Sequence, residues 1–139
     1  MITYFDTSAF IKILINEPGT EAVRHLWSTA DDVASVRLIG VEARSALAAA
    51  TRAQRLTVRQ HRTAKLELQE LLDQLNIVDI TEDLAATAGA LAETQALRAY
   101  DAVHLAAALA IGADVMVTSD TDLGHAAPRV GLHLADPTT

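Results

Sequence analysis

The sequence contains no cysteine, so neither a disulfide framework nor a thiolate metal site can form. Aromatic residues make up 4% of the chain and alanine is abundant, a balance that favours closely packed helices over aromatic-rich sheets. Proline and glycine are sparse, and no linker, internal repeat or low-complexity tract interrupts the 139 residues. That length is one ordinary domain, residues 1–139, with enough chain for one full hydrophobic core. Half of the residues are hydrophobic, which argues against disorder. Long apolar runs are missing, and the first apolar segment is only a few residues long. A signal peptide and a membrane span are therefore not expected, and a reducing cytoplasmic location suits the lack of thiols. Lys12 and Lys65 are the only lysines, and the scattered histidines form no His-x-His or His-x-x-x-His pair.

The formal net charge is -7. Non-specific attachment to nucleic acid, which depends on cations meeting phosphates, is not expected of the chain as a whole. The charge is unevenly spread. Between Arg37 and Lys65 lie seven of the eleven basic residues and a single acid, Glu42.

Hydrophobic periodicity predicts strands at residues 2–5, 33–36, 77–80, 115–118 and 130–134. Helices are expected over 8–16, 20–30, 38–55, 57–75, 81–97 and 100–111. The break Glu17-Pro18-Gly19 closes the first helix. Thr57 with Gln60 matches a capping box, and Thr81 is suited to cap the helix that follows it. The helix at 100–111 is apolar on nearly every side, so it should be buried. Strands alternating with helices or helix pairs predict an α/β fold, a parallel sheet flanked by helices on both faces. Such sheets place ligands beyond the carboxyl ends of their strands.

Several carboxylates fall where that rule puts a site. Asp6, in YFDTSAF, directly follows the first strand. A helix N-cap would explain it, but Asp6, Thr7 and Ser8 are three candidate caps for one helix. Glu42 shares a helix face with Leu38, Ile39, Ala46 and Ala49, so it should be buried, either in an ion pair with an arginine or on a metal. Asp101 opens the most apolar helix, where an acid also suits the dipole. Asp120 and Asp122 follow the fourth strand in VTSDTDLG, and one of them could serve merely as a turn or cap residue. His104 lies on the same helix face as Asp101 and reads as a satisfied core histidine.

If these acids converge, each like-charged pair about 4 Å apart costs on the order of 4 kcal/mol at an effective dielectric near 20. Such a cluster needs protons or cations. Oxygen ligands without cysteine or paired histidine select Mg²⁺ or Mn²⁺, and two such ions can support phosphodiester hydrolysis.

The segments YFDTSAF, SVRLIGVEARSAL, LRAYDAVHLAAALA and VTSDTDL, in this order and spacing, resemble a PIN-domain ribonuclease, specifically the VapC-type toxin of a VapBC toxin–antitoxin pair. The resemblance spans essentially the whole chain. It implies that Asp6, Glu42, Asp101 and Asp120 are catalytic acids holding Mg²⁺ or Mn²⁺, with Asp122 as a supplementary acid. Ser8 and Thr118 would orient these carboxylates or touch bound water and metal. It also implies hydrolysis of RNA by metal-activated water, a homodimer, and a VapB-type antitoxin that silences the site, often with a basic side chain. Among Phe10, Ile13, Leu14, Val23 and Trp27, mostly core, a few would line a groove for an antitoxin helix. The basic residues Arg37, Arg44, Arg52, Arg55, Arg59, Arg62 and Lys65 would track an RNA backbone or simply cover solvated helix faces. Arg98 lies closer to the acids.

Rival readings fare less well. A phosphoacceptor receiver needs a lysine near its last strands, and none is there. An aspartyl-phosphate phosphatase places its Asp-x-Asp at the start of the domain, whereas here 17 residues follow Asp122. A non-catalytic PIN-like binding module would have lost acids that this chain keeps. A nuclease acting on DNA stays open, because nothing in the residues reads a 2′-hydroxyl.

Overall fold

The computed structural model describes residues 1–139. Five parallel strands form one sheet: β1 (Ile2–Phe5), β2 (Asp32–Val36), β3 (Asn76–Val78), β4 (Val115–Val117) and β5 (His133–Ala135), in the order β3-β2-β1-β4-β5. The central strand β1 aligns Tyr4 with Ala34 on one side and with Met116 on the other. Seven helices complete the chain: α1 (Thr7–Leu14), α2 (Thr20–Thr29), α3 (Ile39–Arg52), α4 (Val58–Gln74), α5 (Glu82–Thr94), α6 (Ala99–Ala110) and α7 (Thr121–Arg129). None of them is long and apolar enough to cross a membrane.

Successive strand residues feed opposite faces, as the two-residue period of a strand requires. Phe5, Val33 and Val117 join Phe10, Ile39, Leu47 and Leu68 in one core layer, against α1 to α4. Tyr4, Ala34, Val36 and Met116 join Leu84, Leu105 and Leu123 in the other, against α5 to α7. Both faces of the sheet are therefore covered, as a parallel sheet demands. The expected buried character of α6 holds over Ala102 and His104–Ala108, while its last residues, Leu109 and Ala110, are exposed.

The expected caps are present. Thr57 and Gln60 exchange both bonds of a capping box, at 3.0 and 2.8 Å, and Thr81 accepts from the Leu84 N–H at 3.1 Å. Several boundaries differ. Gln54 (φ 61) and Ala96 (φ 52) turn left-handed, so α3 and α5 stop short of Arg55 and Leu97.

The larger correction lies near the end of the chain. Helix α7 occupies a stretch read as connection, and the strand expected at 130–134 begins only at His133, after a turn at Val130 and Gly131. Gly124 and Pro128 locally disfavour a helix there. The helix forms because Leu123, Ala126 and Ala127 bury one face completely, which offsets the intrahelical bond that Pro128, without an N–H, cannot make to the Gly124 carbonyl. Gly131, at φ 94, supplies the turn that leads into β5.

Candidate active site

In a wholly parallel sheet, the carboxyl ends of all strands share one edge. The strand order reverses between β1 and β4, and a crevice opens at that edge where neighbouring connections diverge. Asp6 follows β1 and Asp120 follows β4, so both stand at the switch point. All four leading acids also occupy helix N-termini. Asp6 and Asp120 are the N-caps of α1 and α7, and Glu42 and Asp101 lie in the first turns of α3 and α6. Four positive helix poles thus face a cluster of negative charge.

Asp6 is only 3% exposed. Its Oδ1 accepts from the Ala9 N–H at 3.0 Å and from the Ser8 hydroxyl at 2.8 Å. Its Oδ2 accepts from the Thr118 hydroxyl at 2.6 Å and again from Ser8 at 2.9 Å. The expected roles of Ser8 and Thr118 as partners of a carboxylate therefore have a geometric basis. The cap role considered for Asp6 is also real. Burial pushes its carboxyl above the ordinary value, and His104, the two hydroxyls and the Ala9 N–H pull it only part of the way back. An ionised Asp6 is under-compensated by the protein around it.

Glu42 is half-buried, and its partner is a histidine rather than an arginine. Its Oε1 accepts from Thr7 Oγ1 at 2.7 Å and lies 2.7 Å from His104 Nε2. His104 Nδ1 lies 2.8 Å from the Tyr4 hydroxyl. An ionised Glu42 can only accept, so Nε2–H donates to it, which leaves Nδ1 to accept from Tyr4. Burial raises the Tyr4 pKa well above its usual value, so the phenol keeps the proton it gives. For Glu42, burial pushes upward, but the His104 bond and charge and the Thr7 hydroxyl outweigh it and hold the carboxyl below its ordinary value. Oε2 makes no protein hydrogen bond.

Asp101 and Asp120 are joined by Arg98. The guanidinium Nε donates to Asp101 Oδ2 at 3.2 Å, and Nη2 donates to Asp120 Oδ2 at 3.0 Å. Asp101 has no other hydrogen-bond donor. Burial first, and then the Asp120 charge, raise its pKa, with Arg98 only partly offsetting them. Asp120 Oδ1 caps α7 through the Leu123 N–H at 2.9 Å. The Asp120 N–H donates to Thr118 Oγ1 at 3.0 Å, which links this pair to Asp6. Asp122 is exposed, on the outer side of the first turn of α7.

The residues suit a hard divalent cation. Every candidate donor is a carboxylate or hydroxyl oxygen, and Asp6 and Asp101 carry buried charge that the protein leaves partly unmatched. The only buried side-chain polar atom without a hydrogen-bond partner, Ser119 Oγ, lies on the same loop after β4. As the side chains stand, no three acids or histidines are gathered tightly enough to grip an ion.

A family model described as PIN domain matches residues 3–128. The chain belongs to the PIN domain family. Ribonuclease VapC45 of Mycobacterium tuberculosis (strain CDC 1551 / Oshkosh) is 40% identical over 121 residues, which cover 87% of this chain and 84% of that protein. Solved structures share the fold. The crystal structure of FitAcB from Neisseria gonorrhoeae has a TM-score of 0.73 at 23% identity, covering 99% of this chain and 98% of that one. A toxin–antitoxin complex from Klebsiella pneumoniae has a TM-score of 0.69 at 19% identity, covering 97% of each.

Within this PIN domain, the sequence pattern missed the part played by His104. It is a satisfied core histidine, as expected, but its partner is a site carboxylate. The spacing to Asp101 was visible in the sequence. The link to Tyr4, 100 residues away, was not. Thr7 was likewise read only as a candidate cap beside Asp6. Among the basic residues, Arg37 pairs with Asp79 at 2.8 Å and Arg55 with Glu17 at 3.1 Å. Arg44, Arg52, Arg59, Arg62 and Lys65 are exposed on α3 and α4.

Proposed function

We propose that this PIN domain is the endoribonuclease toxin of a toxin–antitoxin pair. It hydrolyses RNA phosphodiester bonds with Mg²⁺ or Mn²⁺ held by Asp6, Glu42, Asp101 and Asp120, and Asp122 contributes from the rim. The observation that carries this reading is the placement of four acids at four helix N-termini around the switch point of the sheet. Kinship with VapC ribonucleases points to RNA as the substrate.

A bound divalent cation supplies Lewis acidity for the hydrolysis and positive charge against the phosphate. The protein supplies fixed oxygen donors. Ser8 and Thr118 clamp both oxygens of Asp6, so its carboxylate cannot swing away. Thr7 and His104 hold one oxygen of Glu42 and leave the other available. The helix N-termini favour negative charge at these carboxylates. No side-chain nucleophile is needed, and the Ser8 hydroxyl is already committed to Asp6.

The partners follow from the same kinship. The toxin–antitoxin complex among the structural neighbours supports a VapB-type antitoxin. A cavity of about 470 Å³ lined by Leu14, Ile15, Arg24, Leu56 and Arg59 is suited to an amphipathic helix from it. Exposed Val41, Leu66, Ile80 and Tyr100 provide apolar surface for a second copy of the chain.

The test is cleavage of total cellular RNA by the purified, antitoxin-free protein, with Mg²⁺, Mn²⁺ or EDTA, and with Asp101→Asn as control. Single-stranded and duplex DNA are run in parallel. Discrete RNA fragments that require metal and vanish in the variant are expected. Absence of any metal-dependent product would favour a binding module, and cleavage of DNA alone would reassign the substrate.

A further inference from the structure

Arg98 is the one arginine that reaches the acid cluster, and the structure uses it in an unusual way. It is the N-cap residue of α6, yet its side chain makes no cap bond. Its guanidinium instead bridges Asp101 and Asp120, through one Oδ2 atom of each. Those carboxylates have 13% and 21% exposed side chains, whereas that of Arg98 is 73% exposed. An exposed arm on two recessed acids is held weakly, since such pairs contribute little once screening and side-chain entropy are counted. A guanidinium has five N–H donors, and only Nε and Nη2 are engaged here.

The geometry points to Arg98 as a substrate-binding residue stored on the acid pair: it covers the Asp101 and Asp120 oxygens in the free protein, gives them up to a divalent cation, and grips the phosphate of the bound RNA strand. This inference rests on the nuclease reading above and assigns a residue to it. Three considerations favour the exchange. A cation held by Asp101 and Asp120 would compete with the Arg98 guanidinium for their negative charge. The guanidinium forms no ion pair besides those with Asp101 and Asp120, and of the remaining acids Asp122 acts on it through charge alone. A phosphate positioned for hydrolysis must lie beside the cation, within the sweep of the same side chain, and a planar guanidinium binds phosphate through two parallel bonds. The chain thus carries within itself a basic group on its acidic site, independent of any partner.

The test compares Arg98→Ala and Arg98→Lys. Because the Arg98 side chain provides no cap, neither change removes a capping bond from α6. Binding of Mn²⁺ to the free protein is measured by titration calorimetry. Loss of the competitor in Arg98→Ala should tighten Mn²⁺ by about three- to tenfold, the range that two weak exposed pairs allow. Binding of a ten-nucleotide oligouridylate is then measured with Mn²⁺ in a Glu42→Gln background, where cleavage is blocked but Asp101 and Asp120 remain. Arg98→Ala should weaken it and lower the slope of log K against log salt by about 0.7, one phosphate contact on a single strand. Arg98→Lys should keep the slope while losing the affinity of the bidentate contact.

A purely structural ion pair would leave the salt slope of RNA binding unchanged. Unchanged or weaker Mn²⁺ binding in Arg98→Ala, or an unchanged slope, overturns the role of Arg98 and leaves the nuclease reading standing. Failure of Mn²⁺ to bind the unsubstituted protein overturns both.

Discussion

Replacing Asp6 by asparagine should make the protein more stable while destroying its function. Four hydrogen bonds reach the Asp6 carboxylate, but only the Ala9 N–H is fixed in direction. The donors on Ser8 and Thr118 are hydroxyls, which can turn and accept instead. Asparagine at position 6 therefore keeps Oδ1 toward Ala9 as a cap and presents its amide to the two hydroxyls. Asparagine caps as well as aspartate, so α1 loses nothing there. The variant removes a buried charge whose folded pKa is raised, and a raised carboxyl pKa means that the ionised form is worse off in the fold than in the unfolded chain. The gain is of the order of one hydrogen bond, about 1 kcal/mol. For 139 residues the unfolding entropy is about 0.3 kcal/mol/K, so the melting temperature should rise by about 3 °C. Calorimetry at pH 7 and pH 5 checks this, and the advantage should shrink at the lower pH as the native Asp6 takes up its proton. Mn²⁺ provides the second arm. At one hundred times its dissociation constant a ligand adds about 2.7 kcal/mol, about 9 °C on the same scale, and only to the unsubstituted protein. A melting temperature lowered by several degrees in Asp6→Asn would refute the reasoning and make Asp6 a structural residue. Equal stabilisation of both proteins by Mn²⁺ would remove it from the ligand set.

Tyr4→Phe should cost about 1–2 kcal/mol, because it leaves the buried Nδ1 of His104 without its donor; urea denaturation with an unchanged m-value measures this, and a loss near zero means that water or a turned ring replaces the bond. The same variant should slow RNA cleavage, since Glu42 is held through His104. Replacing Arg59, Arg62 and Lys65 together by glutamate should weaken RNA binding without affecting Mn²⁺ affinity, and should lower the salt slope by about two; an unchanged slope would identify these residues as solvated surface only. Stability should rise as the pH falls from neutral toward the ordinary carboxylate range, because the raised Asp6 and Asp101 are relieved there. It should decline below that range, where the lowered Glu42, Asp31 and Asp136 lose their ionised partnerships. A chemical-denaturation series from pH 8 to pH 3 that falls monotonically from neutrality contradicts this account.

The strands, most helices and the parallel α/β class were legible from local signals: strand-length apolar runs, the Thr57–Gln60 box, and the apolar stretch of α6. Asp6 and Asp120 could be placed beyond strand ends for the same reason, since a carboxylate after a buried run marks the edge where a parallel sheet opens. Helix α7 was not legible, because Gly124 and Pro128 outweigh every local cue, and only burial of Leu123, Ala126 and Ala127 against the sheet reverses the balance. Nor could the partner of Glu42 be read in advance. Helical periodicity shows that a side chain turns inward, but not what it meets there. That was decided when β1 and β2 paired and α6 packed across them, bringing Tyr4, His104 and Glu42 into one chain of hydrogen bonds from three distant stretches. The sequence alone determined which residues could carry charge into the interior. Only tertiary packing decided which groups would answer that charge, because a buried carboxylate must take its donors from whatever the fold brings within about 3 Å.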